Sequence, residues 1–416
     1  MSNPVFLESS FRILLFDLSI HGHHAAYIKH LIRYWSEKRF KGSLFVVVSP
    51  KFIEVHADVV ELALAQSAST IEFVAITIEE EAVLNSRRSK FDRALRNLRE
   101  WHLLQKYAES LAATECLLMY LDTCELPLVL GSGLACPFSG IYFRPTFHYS
   151  DLAGYVPDLK ERLQQWREKI FLNRLLHHPK LKSLFCLDPF VVKYLDPPAA
   201  VGVVHLPDPV ETNPLVDGDT QDMRSALAID SERLVFLLFG SFEAERKGVY
   251  QLFEALEHLP PNLCQKVCII LVGNAGQEEQ SRIQVRVDSL CQHHPVQIIT
   301  RFGFIPDQDV EQYFLLADVA LAIYQRHVGM SGILLLAAAA QKPVLSSNYG
   351  LMGELVKRHH LGLTVNSTVP EEIAAGLTRF LLESSQSLSD RAAMKAFAEQ
   401  NSARLFAQTV FQHVSN

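Results

Sequence analysis

Two adjacent cations, Arg246 and Lys247, lie between an apolar run and a helical stretch in residues 239–248, FGSFEAERKG. An Arg guanidinium can fork two phosphate oxygens, and a Lys adds a mobile point charge. Cations at a helix start oppose the helix dipole, so a pair there points to an anion that compensates them. Gly240 frees the backbone for a tight turn. The alternative is a solvated charged turn. A second stretch, residues 324–344 (YQRHVGMSGILLLAAAAQKPV), places Gly329, Met330, Ser331, Gly332 and Ile333 at the mouth of a very apolar helix. Ser331 is a suitable N-cap. The unpaired N–H groups of that helix start form an anion seat. A plain strand–turn–helix crossover is the alternative.

The first half of the chain carries its own candidates. Residues 17–24, DLSIHGHH, set Gly22 among His21, His23 and His24. The reading is a polar loop that approaches a ligand, against a bare surface loop or a metal site. One flexible loop rarely supplies a converging ligand set, so no metal is expected. Asp122, Arg144 and His148 each follow an apolar run and are candidate catalytic or substrate-orienting groups. A lone histidine is more often a satisfied polar residue. Two Asp-x-Asp matches, Asp217 with Asp219 and Asp307 with Asp309, fall in a linker and at a helix start. Neither is read as a metal site.

The elements that must position these residues alternate. Apolar runs at 12–18, 43–49, 71–76, 116–121, 140–143, 184–187 and 201–205 read as strands, with helical stretches such as 24–36, 52–66 and 159–176 between them. After residues 206–222, rich in Pro, Asp and Gly, the alternation restarts at 234–239, 267–272, 296–300, 319–324 and 344–346. Continuous apolar strands between helices mean parallel sheets covered on both faces. The expected architecture is α/β: two doubly wound, Rossmann-like domains facing a central cleft. The boundaries read as residues 1–208, a linker at 209–222, a second domain at 223–400 and a terminal helix at 401–416 that packs back on the first domain. Helices are expected to begin at Pro306 and Pro370, and 391–414 reads as one helix. Ligands of such sheets bind in loops after strands.

Composition narrows the classes. The 416 residues are 49% hydrophobic with a net charge of −7, which excludes a disordered chain and disfavours wrapping a nucleic acid. No apolar run reaches the roughly 18 residues of a membrane span. Seven cysteines without C-x-x-C spacing fit a reducing compartment. The N-terminus lacks the basic and apolar segments of a signal peptide. The expected location is the cytoplasm, with peripheral attachment at the inner face of the membrane. Residues 87–106 carry that expectation: Arg87, Arg88, Lys90, Arg93, Arg96, Arg99 and Lys106 against Asp92 and Glu100. A second basic stretch, 162–182, includes Arg167, Lys169, Arg174 and Lys180. Either is a solvated helix face or a contact with anionic lipid.

Together these loops resemble family 4 of the GT-B glycosyltransferases, most strongly over residues 235–365. The strand, Arg-Lys-Gly and helix of 239–256 carry the likeness, with RFGFIPDQDVEQYFLLADVALA (301–322) and the Ala-rich helix, Pro-Val strand, Tyr-Gly turn and Gly-Leu strand of 337–364. The resemblance implies a nucleotide-diphosphate sugar as donor, a glycan, lipid-linked or small-molecule acceptor, retention of configuration and no metal or other cofactor. It implies that Arg246 and Lys247 grip the donor diphosphate, and that backbone near Phe304 lies beside the nucleobase. Gly22 matches the family's first glycine loop, and residues 146–148 its Thr-Phe-His strand end. The two family glutamates separated by seven residues are replaced here by Val328 and Leu336. A catalytically silent GT-B subunit that binds a sugar or a partner, and a nucleotide-sugar epimerase, are the competing expectations.

Overall fold

The computed structural model describes residues 11–20, 22–65, 70–84, 90–131, 133–143, 145–152, 155–212, 220–242 and 246–414. Two compact units result. One comprises residues 1–148, 158–209 and 403–416, and the other residues 149–157 and 210–402.

The first unit holds strands β1 (Phe11–Phe16), β2 (Gly42–Val48), β3 (Ile71–Ala75), β4 (Glu115–Leu118), β5 (Phe138–Tyr142), β6 (Leu181–Cys186) and β7 (Gly202–His205). They form one parallel sheet in the order β3-β2-β1-β4-β5-β6-β7. Side chains alternate across the pleat. Ile13 and Leu15 join a core with Trp35 and Phe411, whereas Leu14 and Phe16 join a second core with Trp101 and Phe171 on the other face. Two buried faces explain the unbroken apolar run. Helix Ala403–Val414 belongs to this unit, because Phe406 packs against Tyr27 at 4.9 Å and Phe411 against Trp35 at 5.3 Å, with tilted rings.

The second unit repeats the plan with β8 (Leu234–Phe239), β9 (Val267–Gly273), β10 (Gln297–Phe302), β11 (Val319–Ala322), β12 (Val344–Ser347) and β13 (Gly362–Val365). Its parallel order is β10-β9-β8-β11-β12-β13. Both sheets reverse strand order at one point, β1 beside β4 and β8 beside β11. In open sheets of this kind ligands bind at such a reversal, beside the loops that follow the strands.

Two expected helices are interrupted. The stretch 52–66 divides into Pro50–Val55 and Ala57–Leu64, because His56 leaves helical dihedrals and its Nε2 lies 3.0 Å from Ile20 O. The stretch 391–414 divides at Asn401, whose side chain turns back to donate to Phe397 O at 2.8 Å, while Ser402 bridges Val210. Residues 213–219 of the expected linker, with Asp217 and Asp219, lie outside the described residues.

Candidate functional site

In the second unit the strand-order reversal gathers most of the anticipated donor residues. Strand β8 delivers Gly240, which has φ +121° and donates its N–H to Val272 O at 2.9 Å. A Cβ at Gly240 would stand 2.6 Å from the Lys247 ammonium, so the space a side chain would fill belongs to that lysine. Lys247 is only 5% exposed. Its ammonium donates to Phe239 O at 2.8 Å and to the Tyr324 hydroxyl, and sits 4.3 Å from the centre of the Tyr324 ring. The lysine is therefore fixed in place, not the mobile charge the sequence suggests.

Tyr324 follows β11. Its hydroxyl is 2.8 Å from Ser331 Oγ, and Ser331 caps helix Gly332–Ala339 by accepting from Ile333 N at 3.4 Å. A polar chain thus runs from the end of β8, through Lys247 and Tyr324, to the start of that helix. The two loops are also stitched through backbone. Gln325 N donates to Arg246 O at 2.8 Å, and Gln325 Nε2 donates to Ser367 O at 2.7 Å. Arg246 itself is exposed, 5.7 Å from the Tyr324 ring.

Burial, reinforced by the neighbouring Arg246 guanidinium, lowers the Lys247 pKa to about 7. Burial raises that of Tyr324. The site therefore has one permanent cation and one that an incoming anion can reprotonate.

The remaining residues of the second loop lie close by. His327 Nε2 is 3.1 Å from Met330 O, and Val328 O accepts from Leu351 N at 2.9 Å. A Cβ at Gly332 would meet nothing within 4 Å, and at Gly329 nothing nearer than the His327 ring at 3.9 Å. Ile333 is buried in the first turn of the helix. Phe304, after Gly303, is 87% exposed. The side chain of Asp307 and residues 243–245 lie outside the described residues.

The first unit is built differently. Gly22 turns with φ +76° ahead of helix His24–Lys38. His24 Nδ1 is 2.7 Å from Asp17 Oδ2, and Asp17 is buried at the end of β1. The His23 ring stacks on Phe143 at 4.7 Å, and Tyr120 leans on Phe143 at 4.9 Å. His21 and Arg144 lie outside the described residues. Asp122 Oδ2 accepts from Phe143 N at 2.9 Å, so this carboxylate fixes the exit of β5. His148 is 3% exposed, with Nε2 3.0 Å from Asp188 Oδ2. That histidine belongs to a buried polar pair.

Glu168 holds the chain leading to His148. It accepts from Tyr142 Oη at 3.0 Å, Thr146 N at 2.9 Å and Thr146 Oγ1 at 2.6 Å, and burial raises its pKa. Replacing it by Ala leaves buried donors without acceptors, so Glu168→Ala is expected to cost about 3 kcal/mol, read by urea denaturation. Sequence reasoning missed Glu168, Asp188, Asp17 and Tyr324. Asp17 and Tyr324 carried a signal, since each ends an apolar run. Glu168 carried one too, lying three, four and seven residues before the buried Phe171, Leu172 and Leu175.

Comparison with known proteins bears on this geometry. Residues 219–401 match the family model described as glycosyl transferases group 1. No curated protein matches the chain in sequence. Among solved structures, it is similar to Anabaena HepE in complex with UDP and glucose (15% identity, TM-score 0.63, covering 97% of this chain and 99% of that one). It is also similar to sucrose-phosphate synthase from Thermosynechococcus elongatus (14%, 0.66, 97% and 98%). A third is the trehalose 6-phosphate synthase from Burkholderia multivorans (12%, 0.68, 98% and 98%). The chain thus has the GT-B fold, and its residues 219–401 resemble the glycosyl transferases of group 1.

Proposed function

We propose that the protein transfers a sugar from a nucleotide-diphosphate sugar to an acceptor hydroxyl, in the manner of the retaining family 4 enzymes it resembles. The observation that supports this most is the polar chain Phe239 O–Lys247–Tyr324–Ser331, with Arg246 beside it, at the carboxyl ends of β8 and β11. In the reaction the bond from the anomeric carbon to the diphosphate oxygen breaks, and its electron pair leaves with the diphosphate. The acceptor oxygen bonds to the anomeric carbon and passes its proton to the departing diphosphate oxygen. Negative charge grows on the leaving group through an oxocarbenium-like state. Arg246, Lys247 and the N–H groups of residues 329–333 stabilise that charge in this reading, and no metal is assigned a part. Asp122 and His148 act as positioning groups for the first unit's loops.

Val328 and Leu336 favour a second reading, a silent GT-B subunit that binds without turnover. Thermal shift with UDP-glucose, GDP-glucose and ADP-glucose separates the two, because a ligand of the native state stabilises by mass action. UDP-glucose is the first probe, given UDP and glucose in the HepE complex. Stabilisation with donor hydrolysis supports the enzyme, stabilisation alone supports a silent sugar binder, and no shift with any of the three favours a silent subunit that binds a partner.

The lowered lysine pKa adds a prediction. Lys247 is charged below about 7 and neutral above it in the free protein. Between that value and its unfolded pKa the unfolded chain holds a proton the folded chain lacks. Stability from this group therefore rises with pH in that window and is flat below it. Diphosphate binding favours the ammonium, so affinity falls above pH 7, at most about tenfold per unit. A nucleotide sugar is a diphosphate diester and does not titrate there itself. Calorimetry at pH 8 in buffers of different ionisation enthalpy is expected to show proton uptake, which Lys247→Met abolishes. Affinity that is flat from pH 6 to 9 in the wild type contradicts this role.

A further inference from the structure

The strongest unassigned feature is helix Leu159–Leu176 of the first unit. It is apolar on two opposite sides. Phe171, Leu172, Leu175 and Leu176 face inward and are buried, together with Glu168 and Gln165. Leu159, Leu163, Trp166 and Ile170 are exposed, Leu159 by 84% and Trp166 by 61%. Their spacing of four, three and four residues places them in one stripe on the outer face. Cations flank it on both sides. Lys160, Arg167 and Arg174 recur every seven residues along one edge, and Arg162 and Lys169 do so along the other. The helix holds two carboxylates, both committed elsewhere: Glu161 closes the capping box with Asp158, and Glu168 holds Thr146.

We propose that this helix docks the protein, lying in plane, on an anionic lipid surface. An apolar stripe with a tryptophan and two basic margins matches a leaflet, whose hydrocarbon begins below its charged headgroups. A second copy of the chain fits less well. Two such faces would oppose like charges, and four side chains fall far short of the roughly 800 Å² per partner that a stable interface buries. Among the described residues no helix is long and apolar enough to cross a membrane. The basic helix anticipated from residues 87–106 is less suited. Arg96 and Lys106 pair with the carboxylates of Glu100 and Glu80, whereas in helix Leu159–Leu176 Arg174 and Lys169 meet the neutral Val129 O and Phe147 ring; Arg87 and Arg88 lie outside the described residues.

The test uses the full chain and vesicles of phosphatidylcholine with or without one-third phosphatidylglycerol. Co-sedimentation is expected only with the anionic vesicles, weakening as salt rises. Trp35 and Trp101 are buried, so Trp166 reports contact by a blue shift and by quenching from brominated lipid. Each cation contributes roughly fivefold to partition, so Arg162→Gln, Arg167→Gln and Lys169→Gln together lower it about 100-fold. Removing Arg282, Arg286 and Lys395, exposed cations of the second unit, leaves partition unchanged. Three results overturn the proposal. One is wild-type protein that stays in the supernatant at low salt. Another is the Arg162/Arg167/Lys169 variant binding as tightly as wild type. The third is a Trp166 shift that grows with protein concentration without lipid, which assigns the stripe to a second copy. The wild-type quenching experiment decides the question even if a variant folds poorly. The donor reading is independent of all three.

Discussion

Arg246→Ala and Lys247→Met each lower donor turnover on the order of 10²–10³-fold, with the loss in kcat more than in KM. Removing one preorganised group that meets developing charge has effects of that size. Both residues meet the same diphosphate in the proposed reaction, so their losses do not add in the double variant. The two variants differ in what else they change. Arg246 is exposed and its side chain closes no core, so Arg246→Ala leaves stability within about 0.5 kcal/mol. Lys247→Met removes an ammonium that burial already disfavours, and methionine keeps the volume. Its thermal midpoint at pH 7 is therefore expected to hold or rise. Loss of turnover with an intact midpoint separates a chemical role from a structural one. Full turnover in both variants sinks the diphosphate assignment.

Much of this arrangement is legible in the sequence, for reasons that particular residues make plain. The strand run 234–239 coincides with β8, because a parallel strand buried on both faces must be apolar throughout. Helix Leu159–Leu176 is bounded as expected, since Asp158 and Glu161 form its capping box. Strand β13 is only four half-buried residues, and no apolar run marks it apart from the family resemblance. His56 and Asn401 interrupt helices through contacts with Ile20 and Phe397, and periodicity carries no trace of those partners. At the site, the loops that follow β8 and β11 were readable from chain order alone. The burial of Lys247 was not, since a lysine beside an arginine reads as solvated until a tyrosine 77 residues away covers it. His148 shows the reverse. It reads as a strand-end candidate or as a satisfied polar residue, and only the structure places it beside Asp188 in the interior.

Gly248→Ala is expected to cost ~3 kcal/mol and to lower turnover with it. Gly248 is the N-cap of helix Val249–Glu257 and has φ +72°, a left-handed conformation that costs an L side chain about 1 kcal/mol or more. Space is the larger problem. A Cβ there would lie 2.3 Å from the Ile323 carbonyl oxygen and 2.8 Å from Gln325 Nε2. The carbonyl is backbone at the exit of β11 and cannot rotate away alone. To admit a methyl group, the loops after β8 and β11 must part, and the Gln325 N to Arg246 O bond and the Lys247–Tyr324 contact part with them. Gly332→Ala is the control. Its Cβ meets nothing within 4 Å, and alanine suits a first helical turn, so stability is expected to hold. If the diphosphate rests on that helix start, the added methyl group enters the ligand's space and donor affinity falls while the thermal midpoint stays. Denaturation midpoints and UDP-glucose titrations on the two variants read both effects. Gly248→Ala that is as stable as wild type would falsify the close stitching of the two loops. Gly332→Ala with unchanged donor affinity would move the diphosphate away from this helix.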